Sequence, residues 1–210
     1  MDNLVNDMHP FACATGHAEN EVFHLGEMLK EEDRTEFFEA MNKEVAGNNK
    51  GNHWEVVSKK NLKIKVIKSI WSFKRKRNPT GKIIRHKARI CAHGGMQRWG
   101  DGYHETYSPV VNWLSVRFLL SLSAALDLDT RSIDFTMAYA QADLKTPVYM
   151  EMPWGFEPDD KEIDPSTHCI RLLTNWYGLR DAGLNWFDCK GGLLDRGFSQ
   201  SAIDPCLFTR

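Results

Sequence analysis

The sequence predicts an α+β fold with one long helix, a β-hairpin and several shorter elements. Its composition is that of a globular protein, with 42% hydrophobic and 26% charged residues. Segments with apolar residues at helical spacing alternate with segments rich in β-branched and aromatic residues. A strong turn signal joins two of the latter. Helices and short strands mixed in this way favour α+β.

The first predicted element is a helix that follows an acidic lead-in. Residues 1–33 are polar and aperiodic, so we expect them to be poorly ordered. Asp33 or Thr35 can then cap a helix whose apolar positions Phe37, Met41 and Val45 are spaced by four. Residues 47–49, Gly-Asn-Asn, should end this helix because they tolerate left-handed backbone. A short strand over residues 53–57 comes next.

The hairpin follows in residues 66–92. Residues 66–77 and 82–92 have strand composition, and the sequence NPTG at 78–81 is typical of a turn. Both arms are rich in Lys and Arg, so the hairpin is predicted to be a basic ribbon. Such a ribbon can follow a phosphate backbone.

Six further elements are predicted after the hairpin. Two are helices, over residues 116–126 and 184–194, the second weakened by two glycines. Four are strands, over residues 130–135, 148–152, 169–173 and 206–209. The strand over residues 130–135 would carry Asp134 at its end.

The net charge of −1 conceals a strongly uneven distribution. Residues 59–98 contain 14 Lys and Arg and no Asp or Glu, whereas residues 1–58 carry −8 and residues 99–210 carry −7. This asymmetry predicts a polyanionic partner, with a solvated basic loop as the alternative. No apolar run approaches the roughly 20 residues of a membrane span, so no membrane partner is expected.

Several other function classes find no support. The five cysteines are scattered and include no C-x-x-C, which argues against a disulfide framework or a zinc knuckle. His9, Cys13 and His17 are spaced by four, but Pro10 and Gly16 interrupt them, so an accidental triplet is favoured over a metal site. No nucleophile elbow and no P-loop occur.

One carboxylate remains as a candidate for chemistry. Asp134 at a strand end would be a rigid metal ligand, although spacing alone favours an Asp that caps the next turn.

Seven blocks of the sequence together resemble successive blocks of the Copia-type reverse transcriptase. They are WSFK (71–74), KARICAHGGMQ (87–97), ETYSPVV (105–111), DFTMAY (134–139), VYMEMPWGF (148–156), YGL (177–179) and DPCLF (204–208). The resemblance covers about residues 34–210. It implies the fingers and partial palm of a right-hand polymerase. Residues 34–112 would be a fingers-like segment with the basic hairpin, and residues 113–210 a partial palm with an interleaved fingers segment.

The resemblance also implies catalytic and nucleotide-binding roles. Asp134 and the backbone carbonyl of Phe135 would hold two Mg²⁺ ions for nucleotidyl transfer. Tyr139 would lie under the sugar and reject a 2′-hydroxyl. Lys87 and Arg89, which share a strand face, would hold the triphosphate.

Two further groups complete the implied sites. Tyr177 and Gly178 would open the segment that supports the template–nucleotide pair. The remaining hairpin cations would contact nucleic acid: Lys74, Arg75, Lys76, Arg77, Lys82 and Arg85. The implied partners of the parent enzyme are a template–primer and a dNTP, and its expected location is intracellular, in a cytoplasmic particle or the nucleus.

Two departures from the family pattern affect the expected activity. The family usually has LYGLKQ where this chain has WYGLRD at 176–181, so Asp181 stands in place of Gln. The Y-V-D-D motif with the other catalytic carboxylates should follow residue 208, and the sequence ends at Arg210. We therefore expect a fragment of an RNA-directed DNA polymerase that is inactive on its own.

Two alternatives use the same basic segment. The chain could be a non-catalytic nucleic-acid-binding module derived from such an enzyme. The run KRKR at 74–77 could instead be a nuclear-targeting signal on a structural fragment.

Overall fold

The computed structural model describes residues 22–158 and 162–210. Most of the predicted lead-in and the triplet of His9, Cys13 and His17 lie outside these residues. Residues 22–33 of the lead-in form a short strand, β1 (Val22–His24), and a single helical turn, α1 (Leu25–Met28). They are held in place because Met28 is fully buried and the Phe23 ring packs 6.1 Å from that of Phe37.

A three-stranded antiparallel sheet contains the basic segment. Its order is β1-β4-β5, with β4 spanning Ser69–Arg77 and β5 spanning Ile83–Ala92. The turn between β4 and β5 is closed by Asn78, whose Oδ1 accepts hydrogen bonds from the backbone N–H groups of Thr80 (3.1 Å) and Lys82 (2.9 Å). Gly81 follows with a φ of +83°, which favours glycine.

Helix α2 (Arg34–Lys50) packs on this sheet and begins directly after Asp33, one of the two predicted capping residues. The Asp33 side chain does not cap the helix, because its carboxylate accepts hydrogen bonds from Arg75. It runs through Gly47 to Lys50 because its last backbone bonds continue to Gly51. Its predicted apolar positions Phe37 and Met41 are buried.

A second sheet combines early and late parts of the chain. Its order is β2-β7-β6-β3, in which β3 is parallel to β6 and the other neighbours are antiparallel. The strands are β2 (Trp54–Ser58), β3 (Val66–Ile67), β6 (Tyr149–Met150) and β7 (His168–Leu172).

The prediction of one continuous strand over residues 66–77 was therefore wrong. The chain leaves one sheet and enters the other at Lys68. The Lys68 carbonyl accepts a hydrogen bond from the His93 N–H (2.9 Å), and its own N–H contacts the Met96 sulfur (3.4 Å).

The remaining elements are short apart from one helix. Helix α3 spans Trp113–Ala125, and two 3₁₀ turns lie at Gly94–Met96 and Ala138–Gln141. The predicted helix over residues 184–194 is divided into α4 (Ala182–Asp188) and α5 (Gly191–Leu194). Strands β8 (Ser199–Gln200) and β9 (Phe208–Thr209) pair antiparallel. None of the described helices combines the length and the apolar run that crossing a bilayer requires.

The predicted strand over residues 130–135 is absent, and this prediction was wrong. These residues are irregular and exposed in the structure. Within the described ranges no strand lies beside them, so their backbone groups find no ladder partners and face solvent.

One core joins the two sheets and α2. From the first sheet it takes Trp71, Phe73 and Ile90, and from the second Met150 and Ile170, all buried. Phe37 of α2 packs edge-on against Phe73, with 5.5 Å between ring centroids. Each fully buried side chain of this size stabilises the fold by about 1.5–3 kcal/mol. The core therefore fixes the hairpin arms relative to the second sheet.

Candidate functional site

One face of the hairpin is a cluster of cations. Because side chains alternate along a strand, the register places Lys74 directly opposite Lys87 and Lys76 opposite Arg85. Arg89 follows Lys87 on the same face. Like charges directly opposite each other destabilise a sheet, and closely spaced cations repel. This cationic face therefore favours a polyanion that neutralises it.

The opposite face of the same strands uses its cation differently. The Arg75 Nε donates to Asp33 Oδ2 (2.7 Å), and its Nη2 donates to Glu31 Oε2 (2.7 Å). The guanidinium also lies 4.5 Å from the centroid of the Phe23 ring. Arg75 hydrogen bonds hold the pKa of Asp33 well below its usual range. Arg75 was predicted to contact nucleic acid. In the structure it forms ion pairs that hold residues 31–33 against the hairpin.

The two predicted cations near the hairpin turn are exposed. The Arg77 Nη1 donates to the Gly81 carbonyl (2.9 Å), which brings this guanidinium back over the turn. Lys82 begins the second arm and is exposed. Both therefore lie at the far end of the ribbon from the aromatic residues described next.

Three residues predicted to bind the nucleotide converge at the other end of the cationic face. The Arg89 guanidinium carbon lies 4.6 Å from the Tyr177 ring centroid, and the Tyr177 and Tyr139 rings are 4.8 Å apart. Burial raises the pKa of the Tyr177 hydroxyl, so it remains a neutral hydrogen-bonding group at ordinary pH. Lys87 is two residues from Arg89 on the same face. We call Lys87, Arg89, Tyr139 and Tyr177 the Arg89–tyrosine cluster.

The segment that carries Tyr177 is seated on the outer edge of β5. The Trp176 indole N–H donates to the Ile90 carbonyl (3.0 Å), and the Tyr177 carbonyl accepts from the Ala92 N–H (2.8 Å). Gly178 has a φ of +90°, and a Cβ there would lie 2.2 Å from the Ala92 carbonyl oxygen. Only glycine fits this approach, which explains the residue type at 178.

Glu44 of α2 belongs to this site and was not predicted. Its Oε1 accepts from the Ile90 N–H (3.4 Å), and burial raises its pKa. Burial, with repulsion from Arg89 and other cations, lowers the pKa of Lys87, while Glu44 opposes that shift. Glu44 lies on the packed side of α2, between the buried residues Met41 and Asn48, and the apolar stripe used to predict the helix did not include this polar position.

Asp134 has no neighbouring carboxylates among the described residues with which it could form a metal site. Both Asp134 and Phe135 are exposed, and the Phe135 ring packs 5.3 Å from that of Trp186. Within residues 22–158 and 162–210, no group of three His, Cys, Asp or Glu side chains is placed to hold a metal ion. One carboxylate and one backbone carbonyl do not fit two Mg²⁺ ions.

Asp181, the departure from the family pattern, is buried rather than exposed to the cationic face. It is 5% exposed and lies just before α4. Its Oδ2 accepts a long hydrogen bond from the Asn185 Nδ2 (3.2 Å), whereas no described group donates to its Oδ1. The carboxylate is therefore incompletely satisfied.

Comparison with known proteins identifies the family that this sequence resembles. The family model described as reverse transcriptase (RNA-dependent DNA polymerase) matches residues 51–210. No solved structure gives a match.

Curated relatives are polyproteins much longer than this chain. The retrovirus-related Pol polyprotein from transposon TNT 1-94 of Nicotiana tabacum is 31% identical over 88% of this chain and 14% of its own length. Those from transposons RE2 and RE1 of Arabidopsis thaliana are 32% and 35% identical, over 99% and 75% of this chain and 14% and 11% of their own lengths. The chain therefore belongs to the reverse transcriptase (RNA-dependent DNA polymerase) family, of the Copia type.

Proposed function

We propose that this chain holds a template–primer and an incoming nucleotide for RNA-directed DNA synthesis by a longer Pol polyprotein. The observation that carries the proposal is the convergence of Arg89, Tyr139 and Tyr177 at one end of the cationic face. A cation stacked on an aromatic ring offers both a charge for phosphate and a surface for a sugar or base.

The hairpin is proposed to act as the fingers element. Lys74, Lys76 and Arg85 are exposed on the cationic face and would contact backbone phosphates. Contacts of this kind release counterions, so affinity should fall steeply with salt.

The Arg89–tyrosine cluster is proposed to hold the nucleotide. Lys87 and Arg89 would bind the triphosphate, Arg89 with two N–H groups and Lys87 as a point charge. Burial and neighbouring cations lower the pKa of Lys87, and phosphate oxygens beside the ammonium group would oppose that shift. Tyr139 would lie under the sugar, with Tyr177 and Gly178 beside the pairing base.

We propose that this chain alone does not catalyse nucleotidyl transfer. Asp134 and the Phe135 carbonyl would supply some of the ligands for the two Mg²⁺ ions that the family resemblance implies. A single carboxylate does not hold two divalent ions, so we expect no primer extension above background from the 210-residue chain. Robust extension by the purified chain would overturn this part of the proposal.

Equilibrium binding tests the proposal without requiring catalysis. We expect a labelled RNA–DNA template–primer to bind the chain with an affinity that falls with NaCl, and Lys74→Gln/Lys76→Gln to reduce the slope by about 2. The matched control is Arg171→Gln/Lys190→Gln, which removes equal charge from residues paired with Glu55 and Asp188 elsewhere. Equal effects of the two variants would contradict the proposal.

Nucleotide binding needs a separate measurement. Arg89→Gln should weaken dNTP binding about 10- to 100-fold, since it removes a charged contact worth about 1.5–3 kcal/mol. Tyr177→Phe should bind nearly as the parent, whereas Tyr177→Leu should lose affinity with Arg89 still present. Unchanged dNTP affinity in both Arg89→Gln and Tyr177→Leu would exclude the cluster as the nucleotide site.

A second candidate is a nucleic-acid-binding module without chemistry. The exposed position of Asp134 favours it, since no described acidic neighbour forms a metal site with it. The two functions share the cationic face and differ at residue 134. Asp134→Asn should abolish any Mg²⁺-dependent increase in dNTP affinity if the site is an enzyme remnant, and should change nothing in a binding module.

A further inference from the structure

Six of the 14 cations in residues 59–98 lie outside the observed hairpin, which runs from the start of β4 at Ser69 to the end of β5 at Ala92. They are Lys59, Lys60, Lys63, Lys65, Lys68 and Arg98. Lys59 is engaged in the fold, because its Nζ donates to the Pro165 carbonyl (2.6 Å). Three of the others, Lys63, Lys65 and Arg98, line one open cavity of about 390 Å³. The cationic stretch therefore builds a second surface besides the hairpin.

The cavity lies where two loops meet the edge of the second sheet. Lys63 and Lys65 precede β3, and Arg98 follows the 3₁₀ turn after β5. All three side chains are exposed, and the described parts of the chain offer none of them a carboxylate within 4.0 Å. Asp101 is the one acidic residue of the lining. The rim thus carries a surplus of two positive charges from separate loops.

The floor of the same cavity is apolar and aromatic. Ile67 and Val148 of the lining belong to the buried core. The accessible apolar surface of the cavity comes from the exposed Ile64 and the half-buried Met96 and Tyr149. The floor is rigid, because Val66–Ile67 and Tyr149–Met150 pair in parallel and Glu151 N–H donates to the Ile67 carbonyl (2.8 Å). An aromatic floor below a cationic rim is the arrangement that binds unpaired bases and their phosphates.

We propose that this cavity, which we call the β3–β6 cleft, binds a nucleotide of a single-stranded polynucleotide. The base would lie on Tyr149 and the apolar floor, with the flanking phosphates near Lys63 and Lys65 on one side and Arg98 on the other. The volume falls in the range of about 300–1,000 Å³ found for small-ligand sites. The proposal rests on the proposed function only in that both concern a nucleic-acid partner.

A single strand fits the cleft better than a duplex does. Stacked and paired bases in a duplex present edges and phosphates but no free faces, so the apolar floor would remain unused. Cations on two separate loops suit a strand that crosses the opening, since successive phosphates then meet each side. The hairpin does not supply such a floor in its exposed half, where the cationic face consists of Lys and Arg.

The test compares single-stranded and duplex DNA on the 210-residue chain. The cleft variant is Lys63→Gln/Lys65→Gln/Arg98→Gln, and the control with equal charge change is Arg34→Gln/Lys50→Gln/Lys60→Gln, all exposed and outside the cleft. We expect the cleft variant to lose about 10- to 100-fold in affinity for a labelled single strand and about 2 in salt slope. The control should change little, and duplex affinity should change equally in both variants.

Two further measurements address the floor. Tyr149→Leu should weaken single-strand binding about five- to tenfold, whereas Tyr149→Phe should restore it, because the ring and not the hydroxyl supplies the stacking. A single strand containing 5-iodouracil should crosslink under light to the peptide that contains Tyr149 or the one that contains Met96.

The outcomes separate this inference from the proposed function. If the cleft variant matches its control while Lys74→Gln/Lys76→Gln loses affinity, the cleft proposal is overturned and the hairpin remains. A further result is that inorganic phosphate binds the cleft while the cleft substitutions leave single-strand affinity unchanged. That result would make the cleft a site for simple anions and would also overturn the proposal. If the parent chain binds neither single strand nor template–primer, both proposals fail.

Discussion

Arg75 and its neighbours Lys74 and Lys76 lie in contrasting environments, so their substitutions should have different effects. Loss of Arg75 should lower stability and leave nucleic-acid binding unchanged, whereas loss of Lys74 and Lys76 should weaken binding without lowering stability. Arg75 is 14% exposed as a side chain and pairs with Asp33, which is 20% exposed, and with Glu31, which is 34% exposed. Hydrogen bonds to a charged group contribute about 1.5–3 kcal/mol, and the more exposed Glu31 pair about 0.5 kcal/mol. Arg75→Gln should therefore reduce the free energy of unfolding by about 2–3 kcal/mol.

The reverse is expected for Lys74→Gln/Lys76→Gln. These substitutions relieve like-charge pairs with Lys87 and Arg85. The free energy of unfolding should therefore stay the same or rise by at most about 1 kcal/mol. Urea unfolding followed by tryptophan fluorescence measures both variants at neutral pH.

Binding to template–primer completes the comparison. Conditions must keep both variants folded, and the salt slope should change for Lys74→Gln/Lys76→Gln but not for Arg75→Gln. If Arg75→Gln left stability intact and reduced the salt slope instead, the assignment of Arg75 to the acidic segment would be refuted. The double-mutant cycle with Asp33→Asn should give a coupling of about 1–3 kcal/mol.

Three other outcomes follow from the same contacts. The pKa of Asp33 is depressed in the folded state, so its ionised carboxylate contributes to the free energy of unfolding above about pH 4, and this contribution is lost as the pH falls further. Urea unfolding should therefore show the stabilities of the parent and Asp33→Asn converging below about pH 4. Gly178→Ala should cost about 2–4 kcal/mol from backbone strain and the clash at Ala92, whereas Gly81→Ala, with positive φ but open space, should cost about 1–2 kcal/mol; similar losses would refute the clash. Asp181→Asn should raise the midpoint of thermal unfolding at pH 7 by an amount equivalent to about 1 kcal/mol, and a lower midpoint would mean that Oδ1 has a partner.

Local signals predicted those parts of the fold that depend on local interactions. The stripe of Phe37 and Met41 predicted α2, because its period matches a helix that packs on a sheet. Strand composition alone did not predict the break at Lys68, which arises from contacts with His93 and Met96 about 25 residues later in the chain. A strand pattern around Asp134 did not produce a strand, because a strand also needs a neighbour.

The candidate site was predictable where motifs resemble those of the family. Arg89, Tyr139 and Tyr177 were named from three separate blocks, and packing brings them within contact distance. Glu44 was missed since its role depends on the tertiary approach of α2 to the edge of β5. The run KRKR gives no sign that Arg75 differs from its neighbours until the partner on the other sheet face is known.

The alternation of a β-strand explains how four successive cations can serve two purposes. Lys74 and Lys76 point to the cationic face, and Arg75 between them points to Asp33 and Glu31. The acidic segment thus stabilises the hairpin from behind without neutralising the face in front. Repulsion between Lys74 and Lys87 remains in the unbound protein, and a polyanion would relieve it. Any ligand that binds only the folded chain stabilises it by RT ln(1 + [L]/Kd), so neutralisation of this face would appear both as affinity and as resistance to unfolding.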